Sequence, residues 1–231
     1  MSVYTFINQK GGCGKSTLSV NTAATLAAVS NTEISDPEAE SPVVLLSVDP
    51  QGSAVWWSDR VDNLPFRVVQ ADANAGPELI RALPSISGVD NIIVDTPGWI
   101  DETPGGAVGS AMDAVLDITS LAVVPITPDP LSFDPTSRTI LKLLEPRSIP
   151  FIVVVNNWDP RDGNIDLEQT QEFVRSCGWP LASTVVRRYK VHTRAAADRR
   201  VVTEYPTNRI GVQAQSDFQT LSLDLMMGGG R

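Results

Sequence analysis

The sequence predicts an α/β fold: a doubly wound, mostly parallel sheet with helices on both faces. Short apolar, β-branched runs without polar alternation read as strands buried on both faces. Longer helical stretches separate them, and that alternation builds a parallel sheet through crossovers. The length, 231 residues, suits a single domain spanning residues 1–231 with ample material for a core.

The elements follow in order. "VYTFIN" (Val3–Asn8) is a buried strand, and Lys15 to Val29, rich in Ala, Leu and Thr, is a helix. An acidic, Pro-containing excursion near 30–42 is expected to be a surface loop. "VVLLSV" (Val43–Val48) and the short "FRVV" (Phe66–Val69) are the next strands. "NIIVD" (Asn91–Asp95), "LAVVPI" (Leu121–Ile126) and "FIVVV" (Phe151–Val155) complete the set. Helices are expected near Pro77–Leu83, Val108–Leu116, Pro135–Leu144 and Leu167–Cys177, and the tail near 227–231 should fray. There is neither an internal repeat nor an interdomain linker.

Composition excludes several functions. A net charge of -9 gives an acidic average surface that repels nucleic acid and anionic membrane, so DNA contact needs a local basic patch. Two cysteines, Cys13 and Cys177, are too few for a disulfide framework or a Cys-based zinc site, and they fit a reducing cytoplasm. No signal pattern opens the chain, and no apolar run approaches the roughly 20 residues that span a bilayer.

The stretch "NQKGGCGKST" (Asn8–Thr17) carries the chemistry. A strand, a glycine-rich turn and a helix opening with Gly-Lys-Ser form the context of a P-loop. Gly11, Gly12 and Gly14 let backbone N–H groups close on phosphate oxygens, and Cys13 fills the variable position as a small residue, not a nucleophile. Lys15 should reach the β- and γ-phosphates, Ser16 should bind Mg²⁺, and Thr17 completes the motif on the first helical turn. The usual pattern has glycine at position 9; here Gln9 is followed by a second lysine, Lys10.

Two strands end in aspartate, Asp49 and Asp95, where ligands of such folds bind. Carboxylates there are the expected Mg²⁺ and water ligands. After "FIVVV", the amide of Asn156 or Asn157 could read an adenine edge or simply form a turn. The guanine-reading Asn-Lys-x-Asp is absent, which favours ATP.

Lys-Gly-Gly-x-Gly-Lys-Ser resembles the deviant Walker A motif of the ParA/MinD family of P-loop ATPases. The resemblance implies that Lys10 is the signature lysine, reaching across an ATP-sandwich homodimer to the partner's phosphates as an arginine finger does. Asp49-Pro50-Gln51-Gly52 matches the family's first switch, so Asp49 would position the attacking water. The family often has another aspartate two residues earlier, where this chain has Ser47. Asp95-Thr96-Pro97-Gly98 matches the Walker B motif and second switch. Iron-protein relatives use an asparagine after the strand that precedes Asn156.

The likeness runs from Val3 to about Tyr205 and is nearest to short, ParF-like plasmid-partition ATPases. It rests also on "DPQGSAVWWSDR", "VVPITPDPLSFD" and "TVVRRYKVHTRAAADRRVVTEY". With the P-loop so near Met1, no N-terminal helix-turn-helix domain is expected. What the resemblance implies is a nucleoid-associated ATPase with ATP and Mg²⁺, stimulated by a ParB-type centromere-binding partner. Independently, Arg187, Arg188, Lys190, Arg194, Arg199 and Arg200 form a basic stretch opposed only by Asp198, with Arg209 beyond and His192 read as a surface residue. Such cations bind DNA phosphates without reading sequence.

Three other readings compete. A MinD-like membrane tail needs a basic amphipathic helix, but "SDFQTLSLDLMMGGGR" carries Asp217, Asp224 and only Arg231. An iron–sulfur reductase needs more cysteines than Cys177 beyond the loop. A dethiobiotin-synthetase-like ligase shares the fold and needs no DNA patch. Positioning of a protein cargo uses the same machinery as plasmid partition.

Overall fold

Seven strands among the described residues pair only in parallel, in the order β3-β2-β4-β1-β5-β6-β7. They are β1 (Ser2–Phe6), β2 (Val43–Ser47), β3 (Arg67–Gln70), β4 (Asn91–Asp95), β5 (Leu121–Ile126), β6 (Phe151–Trp158) and β7 (Leu181–Arg187). The computed structural model describes residues 1–30, 40–71, 76–98 and 107–228. Most of the expected acidic loop, 31–39, and the last residues of the tail, 229–231, lie outside that set.

The helices are α1 (Lys15–Ser30), α2 (Ser53–Ser58), α3 (Pro77–Ala82), α4 (Ala107–Ile118), α5 (Phe133–Thr139), α6 (Ile165–Ser176), α7 (Lys190–Ala195) and α8 (Arg209–Met226). Strand alternation feeds two cores. Tyr4, Phe6, Leu45 and Ile93 pack with Leu18 of α1, Trp57 of α2 and Phe218 of α8. Val3, Val44, Leu46, Ile92 and Val94 pack on the other face with Ile80 of α3, Val115 of α4 and Val174 of α6. Full burial of a side chain such as Phe6 contributes about 2 kcal/mol. Residues Leu18 to Ala27 of α1 are all buried, between the sheet and α8, and its Ala and Thr residues keep it slim enough for that position.

Register sets the height of the site. Phe6 lies level with Asp95 and with Val123, and Asp95 lies level with Ser47. β1, β2 and β4 therefore end together, while β5 runs on to Ile126 and β6 to Trp158. Progress across the sheet reverses at β1, with β4 on one side and β5 on the other, which is where such sheets open a crevice.

Three expectations change in detail. β7 was not anticipated; it is an edge strand whose residues alternate between buried and exposed because α8 covers one face. The helix expected over Pro135–Leu144 begins at Phe133 and widens into a π-turn over Ile140–Leu144. His192 is not at the surface: it is buried among Tyr189, Tyr205 and Phe218.

Candidate functional site

The loop between β1 and α1 is clamped before it turns. Asn8 is buried; its Nδ2 donates to the Pro125 carbonyl at 2.8 Å and to Thr136 Oγ1 at 2.9 Å. Its Oδ1 accepts from the Lys10 backbone N–H at 2.8 Å, and the Gln9 N–H donates to Thr139 Oγ1 at 3.0 Å. Both donors are thus tied to β5 and α5. Gly12 and Gly14 take positive φ, +73° and +91°. At Gly14 glycine is compulsory for a second reason: a Cβ there would lie 2.2 Å from Asn156 Nδ2.

Asn156 is that close because its amide donates to the Cys13 carbonyl at 2.8 Å. Asn156 therefore braces the phosphate loop. Asn157, beside it, is exposed in a left-handed conformation with φ 67°. Cys13 is buried, and burial pushes its thiol pKa up, so it remains a neutral packing residue.

The two lysines are held differently. Lys15 is 6% exposed, and its Nζ donates to the carbonyls of Asn8 at 3.0 Å and Lys10 at 3.2 Å. Lys10 turns outward, with Nζ 2.8 Å from Asp129 Oδ2 and 3.3 Å from Thr127 Oγ1. That contact holds the Asp129 carboxyl below the usual carboxylate range. Thr127 and Asp129 lie in the segment "VVPITPDPLSFD", but the sequence alone assigns neither a contact with Lys10.

Behind the loop, Asp95 is fully buried. Burial first, then the nearby Asp49 charge, push its pKa to about 7, while Ser16 and Ser19 hydroxyls oppose the rise. Ser19 Oγ is 3.4 Å from Asp95 Oδ1, and Asp95 Oδ2 has no partner among the described residues. Asp49 accepts from the Gln51 N–H at 2.9 Å, which shapes the turn after β2. Gly98 brings the second strand end against the loop: a Cβ there would sit 3.1 Å from Gly11 Cα and 3.6 Å from Lys15 Nζ.

Oxygen donors on Ser16 and Asp95 suit a hard cation that takes few protein ligands and completes its shell with phosphate and water. Among the described residues no three His, Cys, Asp or Glu side chains gather as a ligand cluster. Gly11, Gly12 and Ser16 lie at the accessible face of the loop, and Thr17 is half-buried on the first turn of α1.

The basic stretch divides. Arg187 is an internal tie: its Nε lies 3.0 Å from Asp217 Oδ2, and its Nη2 donates to the Gln213 carbonyl at 3.2 Å. The pair raises the Arg187 pKa and pins α8 to β7. Arg188, Lys190, Arg194, Arg199 and Arg200 are exposed. Arg188, Lys190 and Arg194 line a groove of about 730 Å³, joined there by Arg161 and Arg209. Beside it, a hollow of about 330 Å³ reaches Lys10 and Gly12; Trp158, Asp159 and Arg188 line both. The cationic groove thus abuts the rim of the phosphate loop.

The CobQ/CobB/MinD/ParA nucleotide-binding domain matches residues 4–201. The chain belongs to this family. A maintenance of carboxysome distribution protein A from Gloeobacter kilaueensis is 30% identical over 224 residues, covering 96% of this chain and 93% of the relative. Among solved structures, the MinD cell division protein of Aquifex aeolicus superposes with a TM-score of 0.71 at 15% identity, over 100% of this chain and 99% of that one. An ATP complex of Cyanothece McdA superposes with a TM-score of 0.66 at 12% identity, over 100% of this chain and 98% of that one. The seven-stranded parallel sheet is the P-loop NTPase sheet of MinD and ParA. In this member, no described helix is long and apolar enough to cross a membrane.

Proposed function

We propose that this ParA/MinD-family protein is an ATPase that positions a cargo along DNA. The observation that carries the reading is the pair of lysines in one phosphate loop, Lys15 buried under the loop and Lys10 turned outward on an exchangeable carboxylate. The loop amides and Lys15 would bind the phosphates of ATP, with Ser16 and Asp95 holding Mg²⁺, whose charge would offset that of the phosphate oxygens. Asp49 would orient the attacking water. In a face-to-face homodimer, Lys10 would leave Asp129 for the neighbour's nucleotide, making hydrolysis depend on assembly.

Arg188, Lys190, Arg194, Arg199 and Arg200 would contact DNA phosphates without sequence preference, giving nucleoid association. The groove lined by Arg188, Lys190 and Arg194 adjoins the nucleotide rim, which offers a route for ATP to control DNA binding. Arg187, tied to Asp217, would support that surface instead of touching DNA.

The cargo is proposed to be a protein assembly, because a relative matched over 96% of this chain is named for carboxysome distribution. Plasmid partition through a ParB-type partner is the second reading, supported by the sequence's likeness to short ParA proteins. The test is DNA binding with ATP, with ADP and without nucleotide, across a salt series. ATP-dependent binding that weakens steeply with salt is expected. Binding indifferent to nucleotide, or none, would overturn the reading and favour a small-molecule ligase.

A further inference from the structure

β2 ends in Ser47, level with Asp95 at the end of β4. Side chains alternate along a strand, and register partners in a parallel pair share a face. Val43 and Leu45 enter the core beneath α1, so Ser47 faces α1; Ile93 does the same, so Asp95 faces α1 as well. Both residues are 0% exposed. On α1, Thr22 is equally buried, one turn beyond Ser19, whose hydroxyl already approaches Asp95.

Ser47 Oγ, Thr22 Oγ1 and Asp95 Oδ2 each lack a hydrogen-bond partner among the described residues. Nearly all buried polar atoms in folded proteins are satisfied by protein or by ordered water. Two hydroxyls and one carboxylate oxygen supply the two to four polar partners that a buried water needs.

We propose that Ser47 is a positioning residue for Asp95, sharing with Thr22 one buried water that donates to Asp95 Oδ2. The hydroxyls orient that water from behind, and the carboxylate keeps its other oxygen for Ser16, Ser19 and the cation. Ser47 thereby does by hydrogen bonding, without added negative charge, part of what a second carboxylate at this strand end would do. Loss of the outer-shell partners that orient a metal ligand typically changes metal affinity by about 10- to 100-fold, and Ser47, acting through the water, should fall at the low end.

The proposal rests on the nucleotide-site reading above, and its test separates the two. The probe is Mn²⁺, titrated by electron paramagnetic resonance into protein loaded with ADP. Ser47→Ala should weaken Mn²⁺ binding about tenfold, Ser47→Thr should restore it, and ADP affinity without metal should stay unchanged. Thr22→Val should show the same loss, and it decides the matter if Ser47→Ala does not fold. Mn²⁺ affinity within about twofold of the parent in the folded variant, or no rescue by Ser47→Thr, would overturn the proposal. Failure of the parent protein to bind ADP would instead overturn the nucleotide-site reading.

Discussion

Lys15 and Lys10 stand five positions apart in one loop and are held in opposite ways. Lys15 is fixed by backbone carbonyls inside the loop, contacts that cannot leave. Lys10 rests on a carboxylate that is 44% exposed, a contact that water or another anion can replace. The difference teaches how one motif can bind in its own subunit and act in another: the buried charge is preorganised and the rim charge is exchangeable. The largest effects should separate them. Lys15→Ala should lower ATP affinity by roughly 100-fold or more, measured by calorimetry. Lys10→Ala should bind ATP within about threefold of the parent yet lose stimulated hydrolysis by roughly 100-fold or more. Normal stimulation in Lys10→Ala would break the contrast.

The same contrast recurs at the end of β7, where Arg187 is tied and Arg188 is exposed. His192 of α7 packs against Phe218 of α8, with their ring centroids 5.5 Å apart. Burial lowers the His192 pKa to about 4. The sign follows from linkage. The unfolded chain, with its histidine near 6.5, binds the proton first, so stability is complete above about pH 6.5 and falls as pH drops toward 4. The loss should reach about 3 kcal/mol. Urea unfolding at several pH values should show it, and His192→Phe should flatten that part of the profile. An unchanged profile would mean that α7 leaves the core before the ring is protonated.

Arg187 and Arg188 sharpen the comparison at a smaller scale. Arg187→Ala would leave Asp217 buried without its guanidinium, at a cost of about 2 kcal/mol in urea unfolding. Arg188→Ala should change stability by less than about 0.5 kcal/mol but reduce the salt slope of DNA binding by about 1. Equal stability losses would erase the distinction between tie and contact.

Much of this organisation is legible in the sequence because it is local. β1, β2, β4, β5 and β6 are continuous apolar runs, and the loop carries its own motif. Asp49 and Asp95 are visible as strand ends. What sequence hides is long-range. β7 is half covered, so its Ser183 and Thr184 dilute the apolar signal, and the helix that covers it begins only at Arg209. Asn156 binds a loop 143 positions away, and nothing near it in the chain reports that. Arg187 and Arg188 look identical until strand alternation points one at Asp217. His192 sits among cations in the sequence, yet helix geometry turns it inward while Lys190 and Arg194 face out.

The smallest effect tests the rim contact itself. If Asp129 holds Lys10 in its own subunit, the pair must break before Lys10 crosses to a partner, and its strength opposes dimerisation. An exposed ion pair is worth no more than about 1 kcal/mol, so the opposition is modest. Asp129→Asn keeps the size of the side chain and removes its charge. It should tighten nucleotide-dependent dimerisation by about two- to fivefold, and the gain should shrink in high salt as screening weakens the native pair. Sedimentation velocity with a non-hydrolysable ATP analogue measures both. Weaker dimerisation in Asp129→Asn would reverse the assignment: the carboxylate would then serve the partner's lysine across the interface, and Lys10 and Asp129 would be parts of one contact made in trans.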